Sequence, residues 1–300
     1  MFSYRHGFHA GNHADVLKHI VLLECLTYLM QKDIGLMLVD THAGAGIYQL
    51  NEGYATISQE SSAGIKRLIE FSKVRLKHPE LPHLSPAIST YLKKIRIFNK
   101  GQTEENIYPG SPALMSQMLR PQDKLRLFEL HPTDLPLLQS NVDALHVGRQ
   151  AQVHGNDGFA GLKGFLPPPT RRGFVLIDPS YEDKADYQKV VDCLSDSLKR
   201  FATGVYAIWY PCLERSDSQN LPDELKALQI QGKPISWLHI VLRTHEMTEG
   251  SGLSASGMFV INPPWKLKES MDETLPLLLE ALGQDAYANF EIESSETNSD

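Results

Sequence analysis

Short apolar runs that end in an acid or a glycine loop, alternating with helical stretches, constrain this chain more than any other feature. Leu36–Asp40 is such a run, and it opens into a loop carrying His42, Gly44 and Gly46. The same grammar recurs in Lys124–Leu130 with Glu129 near its end, in Gln152–His154 before Asp157 and Gly158, in Gly173–Asp178, and in Gly204–Tyr210. Continuous rather than alternating apolarity is what strands covered on both faces require. The segments 111–120, 133–147, 184–201 and 213–229 between them carry helical periodicity. Strands alternating with helices predict βαβ units and a parallel sheet. The last two strand candidates, 235–243 and 256–262, follow each other without a helix and are expected to form an antiparallel hairpin at one edge.

One stretch departs from this rhythm. Between Tyr48 and Tyr108 no strand is legible, but Ser62–Lys77 reads as a helix and Ser85-Pro86 starts a second, with Ile88, Tyr91, Leu92 and Ile95 on one face. The reading is a helical insertion over 48–107, in an α/β domain spanning 1–47 and 108–283. The polar, acidic segment 284–300 is expected to be a disordered tail. A further helix over 12–30 is signalled by Asn12 as cap, with Asp15 three residues on.

The net charge of −7 argues at first against a nucleic-acid partner. Its distribution reverses the inference: Ser61–Lys100 holds nine Lys or Arg against two Glu. Lys66, Arg67, Lys93, Lys94 and Arg96 are therefore candidates for contact with a polyanion. With 42% hydrophobic and 22% charged residues, the chain has the means to bury a core. Three scattered cysteines suggest neither a disulfide framework nor a zinc knuckle. The start of the chain lacks the apolar core of a signal peptide, and Val16–Met30 is interrupted by Lys18, His19 and Glu24, so a soluble cytoplasmic protein is expected.

The loop after Asp40 lacks both the G-x-G-x-x-G of dinucleotide folds and the G-K-[ST] of a P-loop, which disfavours NAD and ATP. Its glycines, Gly44 among them, still let backbone approach a ligand at a strand's carboxyl end. Glu129 lies 89 residues after Asp40, too far for a ribose-binding acid of a second strand, but only 18 after Ser111 once the insertion is set aside. Asp157 is placed to accept from the exocyclic amine of a bound adenine. At the end of the Gly173 strand stands Asp178-Pro179-Ser180-Tyr181. The amine of adenine is a poor nucleophile because its lone pair is delocalised. A carboxylate and a proline carbonyl can accept both amine hydrogens and aim the lone pair, while an aromatic ring such as Tyr181 stacks on the extruded base. Asn262-Pro263-Pro264-Trp265 competes for this role, but it follows the predicted edge hairpin, and Asp178 is preferred. The cluster His6, His9, His13 and His19, with Tyr4, Arg5 and Lys18, is read as a polar wall near ligand or substrate rather than a metal site, since no glutamate base lies between His9 and His13.

Taken in order, Ser3–His19, Asp40–Gly46, Tyr108–Pro112, Glu129–Pro132, Asp157-Gly158, Asp178–Tyr181 and Ser254–Leu267 resemble the bacterial ribosomal RNA large subunit methyltransferase J family. The resemblance implies an α/β class I Rossmann-like fold with a helical subdomain. It also implies S-adenosyl-L-methionine as cofactor and methyl transfer to the N6 amine of an adenine in 23S rRNA. By the same resemblance His19, His42, Ser111, Glu129, Asp157, Gly158 and Asp178 form the cofactor site, Asp178 with Pro179 and Tyr181 is catalytic, and Tyr4 lies against the RNA. The family's usual D-P-P-Y is D-P-S-Y here, with Ser180 in place of the second proline, so the loop has one fixed φ fewer. Two alternatives stay open: the same chemistry on DNA, and a non-methylating protein used in the catabolism of external DNA, as some members have been described. A monomer is expected, because no interface signal favours a dimer.

Overall fold

The computed structural model describes residues 6–52, 59–102, 105–248 and 252–295. The strands of its main sheet are numbered here β1 (Met37–Asp40), β2 (Lys124–Phe128), β3 (Ala151–His154), β4 (Gly173–Ile177), β5 (Val205–Pro211), β6 (Trp237–Arg243), β7 (Ala255–Ile261) and β8 (Asn289–Ser294). Across the sheet they run β8-β6-β7-β5-β4-β1-β2-β3. β1 to β5 are mutually parallel, and β7, β6 and β8 follow as antiparallel neighbours. The order 3-2-1-4-5-7-6, extended by one strand, is a Rossmann-like arrangement whose direction of winding reverses between β1 and β4. Open α/β sheets place ligands at that point. β4, β5 and β7 are buried at every residue, as their uninterrupted apolarity requires.

The helices of eight residues or more among the described residues are α1 (His13–Leu29), α2 (Ile65–Lys77), α3 (Pro86–Phe98), α4 (Ser111–Met118), α5 (Asp134–Ala144), α6 (Ala185–Arg200), α7 (Ser216–Lys226) and α8 (Leu267–Leu282). Asn12 caps α1 by accepting from the Asp15 amide at 2.9 Å, which satisfies one of the free amides of the first turn. This helix is buried nearly all round, packing on α3, α4, α8 and β7. Its polar residues are therefore forced to find internal partners. The segment that carries α2 and α3 leaves and re-enters the domain through a short antiparallel ladder, Ile47–Gln49 with Ile107–Pro109. Ser85 caps α3 through its hydroxyl and Pro86 takes the first helical position. Ile88, Tyr91, Leu92 and Ile95 are all buried.

The acidic tail expected over 284–300 requires correction. Residues 289–294 form β8, paired with β6 from Leu238↔Ser294 to Arg243↔Asn289. The physical reason is a period of two inside the polar sequence. Phe290 and Ile292 pack on the core, while Glu293 faces out to Lys226 at 2.8 Å. The β6–β7 hairpin consequently lies one strand in from the edge.

Candidate active site

A cavity of about 370 Å³ opens at the carboxyl ends of β1, β2 and β4. Its size and position are those of a small-ligand site. Its floor is the loop after β1, where Gly44 and Gly46 adopt left-handed φ of 61° and 80°, a region that glycine enters without steric cost. A Cβ on Gly44 would stand 2.4 Å from the Tyr48 hydroxyl, and one on Gly158 would stand 2.0 Å from the Thr41 carbonyl oxygen. Both glycines exist because neighbouring atoms pass too close for a side chain. Glu129 ties the walls together: one carboxylate oxygen accepts from the Gly44 amide at 2.7 Å, the other from the His131 amide at 2.6 Å. Burial raises its pKa against these bonds. Asp157 caps a one-turn helix by accepting from the Phe159 amide at 2.9 Å and remains exposed at the cavity rim.

Behind the floor, Asp40 is fully buried and accepts from the Ser111 hydroxyl at 2.7 Å. Its pKa is pushed up to about 6 by burial, since a low-dielectric interior disfavours the charged form. His42 sits edge-on to Phe159 at 4.7 Å, and burial lowers its pKa to about 3. His19 is likewise held neutral, down to about 3 by burial. Its Nδ1 meets the Tyr108 hydroxyl at 2.8 Å, which meets that of Tyr91 at 2.8 Å. The other ring nitrogen of His19, in the cavity wall, is buried without a partner among the described residues. Buried polar atoms seldom stay so without a function.

At the end of β4, Asp178 and Lys18 form an ion pair, and Lys18 also reaches Asp15 at 2.9 Å. Asp15 accepts in addition from His6 at 3.0 Å and from the Gly11 amide at 2.9 Å. Burial alone would raise the pKa of Asp15, but His6 and Lys18 hold it well below the usual carboxylate range. Lys18 keeps its charge firmly, because two carboxylates overcome its burial. Asp178 is left with a raised pKa by burial, which outweighs the attraction of Lys18.

His6, Lys18, His19, His42, Gly44, Ser111, Glu129, Asp157, Gly158, Asp178 and Pro179 thus all line one cavity. Several expected roles change. Tyr181 does not present its ring to the cavity. A left-handed φ of 56° turns it inward, where its ring lies tilted against Tyr187 at 4.6 Å and its hydroxyl donates to the Trp209 carbonyl at 2.8 Å. Lys18, expected to meet RNA, is an internal cation with a side chain 4% exposed. Within the basic insertion, Arg75 is buried, lies over the Phe71 ring at 4.5 Å and pairs with Glu280. Arg67 donates to the Gly283 carbonyl, and Lys94 reaches the Gln117 carbonyl. Lys93 and Arg96 are exposed and Lys66 half-buried, and none of these basic residues lines the cavity. Tyr4 and Arg5 lie outside the described residues. His9 pairs with Glu60 and His13 with the Leu253 carbonyl.

Asp15, Asp40 and Tyr108 bond the cavity-lining residues Lys18, Ser111 and His19, and the sequence reasoning above does not name them as site residues. A carboxylate one turn before Lys18 on a helix with few exposed positions was the available signal for Asp15.

Comparison with known proteins identifies the family. A family model described as ribosomal RNA large subunit methyltransferase D, RlmJ, matches residues 33–292. The chain is 44% identical over 279 residues to ribosomal RNA large subunit methyltransferase J of Escherichia coli K12, covering 93% of each. It is 41% identical over 293 residues to the protein of that name from Haemophilus influenzae, covering 98% of each. A crystal structure from Legionella pneumophila str. Philadelphia 1 superposes with a TM-score of 0.81 at 31% identity, covering 95% of this chain and 98% of that one. This chain belongs to the ribosomal RNA large subunit methyltransferase family of that description.

Proposed function

We propose that the protein is an S-adenosyl-L-methionine-dependent methyltransferase acting on the N6 amine of an adenine in 23S rRNA. The observation that carries this is the convergence of Asp178 and Pro179 with Glu129, Asp157 and the glycine floor on one cavity. The cofactor, when bound, supplies a methyl group on a positively charged sulfur. The residues present suit such a ligand. Carboxylates of Asp178, Glu129 and Asp157 line the cavity, and Gly44 and Gly158 leave room for close backbone approach. The unpartnered nitrogen of buried His19 calls for a ligand atom.

Glu129 and Asp157 would hold the ribose and adenine of the cofactor, with His19, His42 and Ser111 completing its walls. Asp178 accepts a hydrogen from the target amine and Pro179 offers its carbonyl for the other, localising the nitrogen lone pair. Once nitrogen has formed its bond to carbon it carries a surplus proton. Asp178, with its raised pKa, is suited to receive that proton. Exposed Lys93 and Arg96, with half-buried Lys66, would meet the phosphates of RNA.

Incubating the protein with methyl-labelled cofactor and either rRNA fragments or DNA of matched sequence tests the reading. Label in RNA supports it. Label in DNA alone moves the substrate to DNA, and metal-dependent DNA cleavage without cofactor binding replaces the reading altogether.

A further inference from the structure

The ammonium of Lys18 sits on one oxygen of Asp178, the carboxylate that the proposed chemistry makes the acceptor for the adenine amine. It is shared between that carboxylate and Asp15, which is itself 1% exposed and also holds His6 and the Gly11 amide. An ammonium buried this deeply cannot leave one counter-ion unless another stays in contact. Asp15 is the only other carboxylate shown bonded to Lys18 among the described residues.

Resting on the methyltransferase reading above, we propose that Asp15 is a positioning residue. It retains Lys18 as Asp178 passes from ion-pair partner to acceptor for the target amine. Asp15 does not line the cavity and acts through Lys18, with His6 anchored on its second oxygen. The bond from the Gly11 amide fixes that carboxylate at the start of α1, so the anchor does not follow the ammonium.

Asp178 is faced by Lys18 and Asp15 from α1, by His6 from the turn before it, by Asp40 from β1 and by Tyr181 from its own loop. In Asp15→Asn an amide oxygen can still accept from Gly11, but Lys18 is left to pair with Asp178 alone. The expected result is a fall in kcat of about 100-fold, with the cofactor dissociation constant measured by calorimetry unchanged. The acidic limb of the kcat/KM profile should move about one unit to lower pH, because a negative neighbour of Asp178 has gone. Asp15→Glu should recover part of the rate and the original limb. A purely structural role would lower melting temperature and rate together and leave the limb in place, and that outcome overturns the proposal.

Lys18→Gln and its double variant with Asp15→Asn, in which no buried ammonium loses a counter-ion, are also compared in single turnovers with enzyme in excess. Equal rates, within about twofold, support action through Lys18. A double variant about tenfold slower than Lys18→Gln refutes it. A wild-type enzyme that transfers no methyl to RNA would defeat the functional reading instead, and a fully active Asp15→Asn would defeat only this inference.

Discussion

Asp178 and Asn262 stand at opposite ends of one sheet. Asp178 follows Ile177, which pairs with Ile208 at the middle of β5 and runs parallel to it towards its carboxyl end, whereas Asn262 follows Ile261, which pairs with Tyr206 near the start of β5 and runs the opposite way. Because β7 runs antiparallel, the N-P-P-W tetrapeptide exits on the side away from the cavity. Asn262 there adopts φ 52° and donates to the carbonyls of Ala202 and Gly204. Letter-for-letter similarity favours Asn262, and topology favours Asp178. Asp178→Ala should cut kcat by about 10³-fold or more. Asn262→Ala should leave kcat essentially unchanged and lose about 1–3 kcal/mol of stability in denaturant unfolding.

The glycine floor gives a second prediction. Gly44→Ala must displace the Tyr48 hydroxyl, and its φ is left-handed as well. Gly232 has a similar φ of 76° with nothing near its missing Cβ, so Gly232→Ala reports backbone strain alone. Calorimetry should find cofactor binding weakened by more than about tenfold, or about 1.4 kcal/mol, in Gly44→Ala, and unaltered in Gly232→Ala.

Stability should fall with rising pH through Asp40. Its folded pKa of about 6 exceeds the ordinary carboxylate value, so the folded state binds the extra proton and the unfolded state does not. Stability attributable to this group is therefore present below about pH 4 and lost by about pH 6, to an extent of about 3 kcal/mol. The difference between wild type and Asp40→Asn, followed by thermal unfolding between about pH 4 and pH 7, should show that slope. A difference that stays flat would contradict the burial argument.

The insertion separates two kinds of basic residue. Reversing the charge of Lys66, Lys93 and Arg96 together should weaken RNA binding and reduce the slope of log affinity against log salt by about 2, with cofactor binding unaffected. Arg75→Ala should leave that slope alone and destabilise the fold by about 1–3 kcal/mol, since its guanidinium bonds Pro82 and Glu280 inside the structure.

Legibility in the sequence followed physical range. The β1–β5 strands, α2 and α3 were readable because burial on both faces and helical periodicity are local signals. Grouping Glu129, Asp157 and Asp178 was possible because strand ends of a parallel sheet converge whatever the side chains between them. The Lys18–Asp178 pair spans 160 residues and depends on α1 being buried on all sides, which periodicity does not encode. Tyr181 turned inward because its φ is set by the loop and by Trp209, not by the tetrapeptide. β8 was hidden because its acids outweighed Phe290 and Ile292 in composition, although the alternation was there.

Ser180 lines the cavity beside Asp178 and Pro179. Since proline at 180 fixes φ without removing any side chain shown to contact Asp178, Ser180→Pro should preserve or raise the methylation rate. A collapse in single-turnover rate would instead assign the serine hydroxyl its own role.

In the proposed mechanism Asp178 directs methyl transfer to an adenine amine in RNA. Its most direct measurement is nucleoside analysis of rRNA fragments treated with wild type or Asp178→Ala in parallel. Wild type should produce N6-methyladenine, and the variant none above background. A methylated base other than adenine, or N6-methyladenine formed equally well without the Asp178 carboxylate, would contradict this mechanism.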